Sequence, residues 1–343
     1  MNKKLVPSSV FVLLLLGGII LWGCKQNFSQ ISEKKIVAYL PMWAMPYTPD
    51  WEKITHLCLA FGFVQADGTL DMEMVSPYRA IIDTAHQHGV KVLLSIGGGG
   101  SRYFSAALLN DSSRNVLVNN LCINVDSLHL DGIDVDFEEW DGGEQGASEL
   151  DLEKRVVLEH FYRELRSALG AEKLLSAAVN AGWDTGGWGT YNCFNNTMHQ
   201  NLDFVSLMIY DETGPWSGTR TGAHSSWTFF EQAIHHWLDN RELPKGKLVA
   251  GVPFYGYQFS KKGYAADAKG IAYKKIIEMY PGQNVHLNDS IGLLYYNGMP
   301  TIKKKVEYIK DKGLGGIMFW EITQDSDNPE KSLLNLIYRL MSN

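Results

Sequence analysis

Short apolar runs recur along the chain at 36–40, 56–63, 91–96, 132–137, 174–179, 204–209, 248–253 and 316–320. Each is brief and rich in Val, Ile, Leu or Phe, which predicts strands buried on both faces. Stretches with helical spacing separate most of them. Pro77 opens one at 77–87, and Gly89 stops it. Others lie at 115–128, at 152–169 with Gly170 as its stop, at 227–240, at 302–312 ended by Gly313, and at 333–341. Alternation alone fits a doubly wound open sheet or a closed barrel. The count of eight and the chain length favour an α/β fold of the (β/α)8 TIM barrel type, spanning 35–343. The stretch at about 257–300 is longer than a loop and carries its own apolar patches. It predicts a small insertion between strands seven and eight.

The first 34 residues follow another pattern. Lys3 and Lys4 precede an apolar stretch at 10–21, short for a transmembrane helix and suited to a signal h-region. It ends at Leu21-Trp22-Gly23-Cys24. A small residue before a cysteine, after such a core, resembles the bacterial lipoprotein signal. That resemblance implies a signal peptide over 1–23, a lipid on Cys24, a polar tether over 24–34, and membrane anchoring at the bacterial cell envelope (outer membrane or cell surface). An ordinary signal peptide, with a secreted product, or an uncleaved anchor is the alternative.

Composition narrows the function classes. Of 343 residues, 45% are hydrophobic and 12% aromatic, which suits a globular enzyme with an aromatic-lined cleft and excludes a disordered or fibrous chain. The formal charge of −7 and the lack of a basic tract argue against nucleic acid as a partner. With Cys24 lipidated, Cys58, Cys122 and Cys193 remain, an odd number without CxxC spacing. Buried free thiols are expected, with no disulfide framework and no zinc site. There is no HExxH, and no metal, cofactor or protein partner is expected. Gly97–Gly100 lacks the Lys-Ser/Thr of a phosphate loop, so these glycines are read as permitting close approach near a barrel mouth.

The chemistry concentrates in Leu130-Asp131-Gly132-Ile133-Asp134-Val135-Asp136-Phe137-Glu138. In a strand, Asp134, Asp136 and Glu138 share one face and Ile133, Val135 and Phe137 the other. The apolar set suits the helix side, so the carboxyls point into the barrel, with Glu138 nearest the C-terminal mouth where this fold keeps its active sites. Carboxyls in a file about 6–7 Å apart cannot all ionise cheaply in a poorly solvated interior. At least one holds a proton near neutral pH, as a general acid must. Clustered carboxylates for Ca²⁺ or Mg²⁺ are the rival reading.

The run resembles the DxxDxDxE signature of the family 18 chitinases at Asp131, Asp134, Asp136 and Glu138. Ser95-Ile96-Gly97-Gly98 is similar to that family's SxGG motif, and Met208-Ile209-Tyr210-Asp211 to its MxYD motif. Trp320, Tyr39 and Phe61 match aromatic positions on the eighth, first and second strands. The resemblance implies a retaining mechanism in which the substrate's own acetamido group replaces a protein nucleophile. Glu138 would be the acid, Asp136 the partner of the acetamido N–H, Asp134 a proton partner of Asp136, and Tyr210 a partner of the acetamido oxygen. Asp211, Trp320, Tyr39, Phe61, Gly97, Gly98 and Met208 would contact the sugar, while Asp131 and Ser95 would be structural. Among Trp43, Trp140, Trp183, Trp188 and Trp216, the best candidates for sugar platforms are Trp140 and Trp216. Relatives often follow Pro-Phe-Tyr-Gly on the seventh strand with arginine. Here Tyr257 stands there, so contacts of that arginine are not carried over. The implied substrate is chitin or another N-acetylglucosamine-containing oligosaccharide or glycan, cleaved at β-1,4 linkages. An endo-β-N-acetylglucosaminidase acting on N-glycan cores and a non-catalytic chitin-binding protein are the alternatives.

Overall fold

Each of the eight apolar runs forms a strand. In the computed structural model, which describes Met1 and residues 34–72, 78–139, 149–182 and 194–342, the strands in chain order are β1 (Lys35–Pro41), β2 (His56–Val64), β3 (Leu70–Asp71), β4 (Lys91–Gly97), β5 (Gly132–Asp136), β6 (Leu174–Asn180), β7 (Phe204–Met208), β8 (Leu248–Pro253), β9 (Tyr255–Gln258), β10 (Lys269–Ala272), β11 (Ser290–Ile291), β12 (Leu294–Tyr295) and β13 (Gly316–Trp320). Parallel pairing runs β1-β13-β8-β7-β6-β5-β4-β2, and β2 pairs back onto β1. The sheet is therefore a closed eight-stranded barrel, and the open-sheet alternative falls away. β3 adds only a short antiparallel hairpin to the end of β2.

Alternation along each strand sorts side chains between two cores. On β1, Ile36, Ala38 and Leu40 pack against the surrounding helices, while Val37 and Tyr39 join the barrel interior. Ile133 and Val135 on β5, and Phe137 just past its end, take the helix side. Phe137 meets Phe104 edge-on at 5.1 Å, and Phe104 meets Phe161 of the helix Glu149–Leu169 at 5.8 Å. Each such aromatic pair adds about 0.5–1.5 kcal/mol beyond its burial. The interior is filled below the site by Leu93, Phe204, Val249 and Met318, so the barrel is packed rather than hollow. Cys58 lies in this interior core, and Cys122 is half-buried; both are free thiols.

The insertion between β8 and β13 is a four-stranded antiparallel sheet in the order β10-β9-β12-β11, with the helix Tyr273–Met279 between β10 and β11. It starts at Tyr255, two residues earlier than the apolar pattern suggested, because β9 follows β8 after a single residue. The helix after it, Met299–Lys312, likewise starts before 302: Pro300 sits in its first turn, where a missing N–H costs nothing. Gly313 ends it in the left-handed conformation.

Candidate active site

Asp134 is fully buried on β5, and its two oxygens accept three hydroxyl donors. Tyr39 Oη and Ser95 Oγ donate to Oδ2, each at 2.8 Å, and Ser176 Oγ donates to Oδ1 at 2.6 Å. The donors come from β1, β4 and β6, so three strands fix one carboxyl. Burial pushes its pKa up, and the hydroxyls offset part of that rise. Hydroxyls aimed at the carboxylate make a proton-tuning cluster. A cation site would instead present lone pairs inward.

Asp136 lies one pleat nearer the mouth and is also buried. Burial, with the charges of Glu138 and Asp134 behind it, holds its carboxyl well above the usual range. Its Oδ1 has no hydrogen-bond partner among the described residues. Glu138 stands just past the end of β5, at Asp136, rather than within the strand. Burial and then the Asp211 charge raise Glu138 to about 7, against a hydrogen bond from the Gly99 backbone that lowers it. The file of carboxyls thus holds a proton near neutrality, and the outermost is poised as an acid.

The glycines at the end of β4 are required by this packing. Gly97 and Gly98 both have positive φ, 102° and 80°. A Cβ on Gly97 would fall 2.1 Å from the Asp136 carbonyl oxygen, and one on Gly98 would fall 2.6 Å from the Phe61 ring. Gly98 N–H donates to that same carbonyl at 2.7 Å. Close approach, not phosphate binding, is what they supply.

Beyond β7, Tyr210 is buried, and its hydroxyl donates to Met318 Sδ at 3.7 Å, a weak acceptor that a carbonyl oxygen would displace. Asp211 adopts the left-handed region at φ 64°, which a non-glycine residue occupies at some cost. Tyr255 Oη donates to its Oδ1 at 2.6 Å. Trp320, at the end of β13, stacks on Phe61 at 5.6 Å and 16°, forming an apolar wall with Tyr39 5.8 Å away.

One pocket at the C-terminal mouth gathers most of the residues singled out from sequence. Asp136, Glu138, Tyr210 and Asp211 line its polar side, Tyr39, Phe61 and Trp320 its aromatic side, and Met208 adds an apolar contact. Asp134, Ser95, Gly97 and Gly98 support it from behind. Trp216 sits 55% exposed beyond the pocket, its Nε1 donating to the Asp211 carbonyl at 3.2 Å and its ring edge-on to Tyr257. Trp43 is 59% exposed, 6.3 Å from Phe61 and 6.4 Å from Trp320. Asp131 lies at the opposite end of β5, bound to Lys91 Nζ, His86 Nε2 and Val92 N–H, each at 2.8 Å. Trp140, Trp183, Trp188, Cys193 and Cys24, with the signal and tether, fall outside the described residues.

Four contributors escaped the sequence reading. Tyr255 lies in the quoted Pro-Phe-Tyr-Gly run but received no role. Ser176 is a lone hydroxyl at an inward position of an apolar strand, a legible signal passed over. Ala178 offers no chemical signal, only smallness beside the pocket. Glu139, next to the acid, accepts from Ser101 Oγ at 2.7 Å and from Phe104 N and Ser105 N at 2.8 Å, while its carbonyl accepts from Lys154 Nζ. It thereby pins the chain beside Glu138.

Comparison with known proteins agrees with this geometry. Residues 28–325 match the model of glycosyl hydrolases family 18. A chitinase structure from Bacteroides thetaiotaomicron superposes with a TM-score of 0.78 and 30% identity, over 90% of this chain and 97% of that one. The family 18 chitinase ChiB from the chitin utilization locus of Flavobacterium johnsoniae gives a TM-score of 0.75 and 30% identity, over 90% and 94% of the two chains. A class V chitinase of Lotus japonicus is 29% identical over 337 residues, 84% of this chain and 82% of its own length. The family match covers most of the barrel and every motif lining the pocket, so this chain belongs to glycosyl hydrolases family 18 and is a chitinase-like glycoside hydrolase.

Proposed function

We propose that the enzyme cleaves β-1,4 bonds between N-acetylglucosamine units with retention of configuration, using the substrate's acetamido group as nucleophile. The observation that carries this reading is Asp136 Oδ1, buried at the pocket without a hydrogen-bond partner among the described residues, while Glu138 beside it is raised to about 7. A buried acceptor next to a protonated acid suits an amide N–H above it. In the first step Glu138 gives its proton to the glycosidic oxygen. The acetamido carbonyl oxygen forms a bond to the anomeric carbon as the bond to the leaving oxygen breaks. Asp136, its proton passed inward to Asp134, accepts from the acetamido N–H and balances the positive charge of the oxazolinium ion. Tyr210 Oη turns from Met318 Sδ to the acetamido oxygen. Water then adds at the anomeric carbon as Glu138, now a carboxylate, takes its proton. Trp320 offers its face to the apolar side of the sugar, and exposed Trp216 and Trp43 extend the platform along the chain.

For the leader, we propose cleavage before Cys24 and lipidation of its sulfur, which would hold the barrel at the cell envelope. The pattern Leu21-Trp22-Gly23-Cys24 after an apolar core supports that reading.

The test compares products from chitin oligosaccharides and from a high-mannose glycoprotein, with the anomer followed by NMR. Short N-acetylglucosamine oligomers appearing first as the β-anomer are expected. Release of high-mannose glycans with chitin oligomers untouched would reverse the substrate assignment, and binding without products would make the protein a lectin.

A further inference from the structure

His224 is fully buried and does not itself line the pocket, but it touches two residues that do, Tyr255 and Asp211. Its ring is clasped between the Tyr255 ring at 4.9 Å and the Tyr257 ring at 5.0 Å. Nε2 lies 3.2 Å from the Tyr255 carbonyl oxygen. A carbonyl only accepts, so Nε2 carries a hydrogen. Nδ1 then faces Asp211 twice, at 3.4 Å from its backbone nitrogen and 3.2 Å from Oδ1. A neutral ring accepts from the Asp211 N–H, and a protonated ring donates to the Asp211 carboxylate. Both forms hold the same residue. The histidine's own carbonyl accepts from Glu212 N at 3.0 Å, closing the grip one residue further on.

The grip has a purpose, because Asp211 sits at φ 64° and its carboxylate lines the pocket. A non-glycine residue stays in that region only when its surroundings determine it. His224 is itself fixed from behind. The buried Lys305, on the helix Met299–Lys312, donates to Ser225 O at 2.7 Å, Ser225 Oγ at 2.8 Å and Asn297 Oδ1 at 2.7 Å. Asn297 Nδ2 donates to the same Ser225 carbonyl, and Ser225 Oγ donates to Ile209 O at 2.5 Å. One buried lysine thus ties the segment bearing His224 to the end of β7.

We infer that His224 is a positioning residue for Asp211, setting both its left-handed backbone and the direction of its carboxylate in the pocket, with Lys305 holding His224 in register. The inference rests on the glycosidase reading above. Its test is a double-mutant cycle on hydrolysis of a chitin oligosaccharide by the full chain. His224→Gln places a polar atom near Nε2 only, and His224→Asn places one near Nδ1. Each is made alone and with Asp211→Asn, and folding is checked by thermal unfolding. The expected result is a fall in kcat of tenfold or more for His224→Gln, a smaller fall for His224→Asn, and KM within threefold. In the Asp211→Asn background the histidine changes should cost less than twofold. Lys305→Met, which leaves the pocket lining untouched, is the second arm if the histidine variants do not fold, and its cost should also vanish in that background. Costs that multiply fully in both backgrounds, or an unchanged kcat in the folded single variants, would overturn the inference. Absence of turnover in the unaltered enzyme would instead sink the glycosidase reading.

Discussion

Replacing Asp211 by Asn removes the negative charge that, after burial, does most to keep the proton on Glu138. Glu138 stands at about 7 against an ordinary 4.5. A like charge nearby in a poorly solvated site raises a carboxyl by roughly a unit or more, so its removal should lower Glu138 by about one unit, worth about 1.4 kcal/mol. The sign follows from the charged form. Without Asp211 the Glu138 carboxylate is less disfavoured, its pKa falls, and the general acid loses its proton at lower pH. At pH 7 the protonated fraction should drop from about one half to about one tenth. The assay is the pH dependence of kcat/KM on a chitin oligosaccharide, whose basic limb reports the acid in the free enzyme. The limb should move down by about one unit, separately from any uniform loss of rate. A limb that stays in place or moves up would refute the electrostatic coupling of Asp211 to Glu138.

Other outcomes follow from the same geometry. Tyr210→Phe should cut kcat by about 10²-fold with little change in KM, if its hydroxyl meets the acetamido oxygen in the transition state; equal effects on both would deny that role. Asp131→Asn should cost about 1–2 kcal/mol of stability in urea at pH 7, because it breaks the bonds to Lys91, Val92 and His86. Burial opposes ionisation there, but Lys91, the Val92 N–H and His86 together hold Asp131 below its ordinary value. Its contribution is therefore present above the unfolded-state pKa and lost as pH falls through the lowered folded value, so the cost should be smaller at strongly acidic pH than at pH 7. An equal cost at both pH values would contradict the account. For the lipidation proposed from the leader sequence, Cys24→Ser should abolish incorporation of a labelled fatty acid and release the protein from membranes; retained label would refute lipidation of Cys24.

Much of the fold was legible because buried parallel strands leave a compact signature. The eight runs register as strands since both faces need apolar residues, whereas the helix Phe104–Leu109 is too short to show a period. The end of β5 was misjudged by one residue, because Phe137 is as apolar as the strand before it. The acidic file was legible for the same reason: carboxyls at alternate positions stand out in a run that otherwise avoids charge. What stayed hidden depends on contacts distant in sequence. Nothing local marks Glu139 as the anchor to Phe104 and Ser105, or ties Lys305 to a peptide 80 residues earlier. Tyr255 reads as one more aromatic until the fold brings its hydroxyl to Asp211.

The central claim is that Glu138 delivers the proton that breaks the glycosidic bond. The most direct measurement is turnover of chitin oligosaccharides by Glu138→Gln alongside their binding by calorimetry. Gln keeps the shape and the Gly99 contact but cannot give up an acidic proton. The account predicts loss of at least about 10³-fold in kcat with oligosaccharide binding retained. Undiminished turnover by that variant would contradict it.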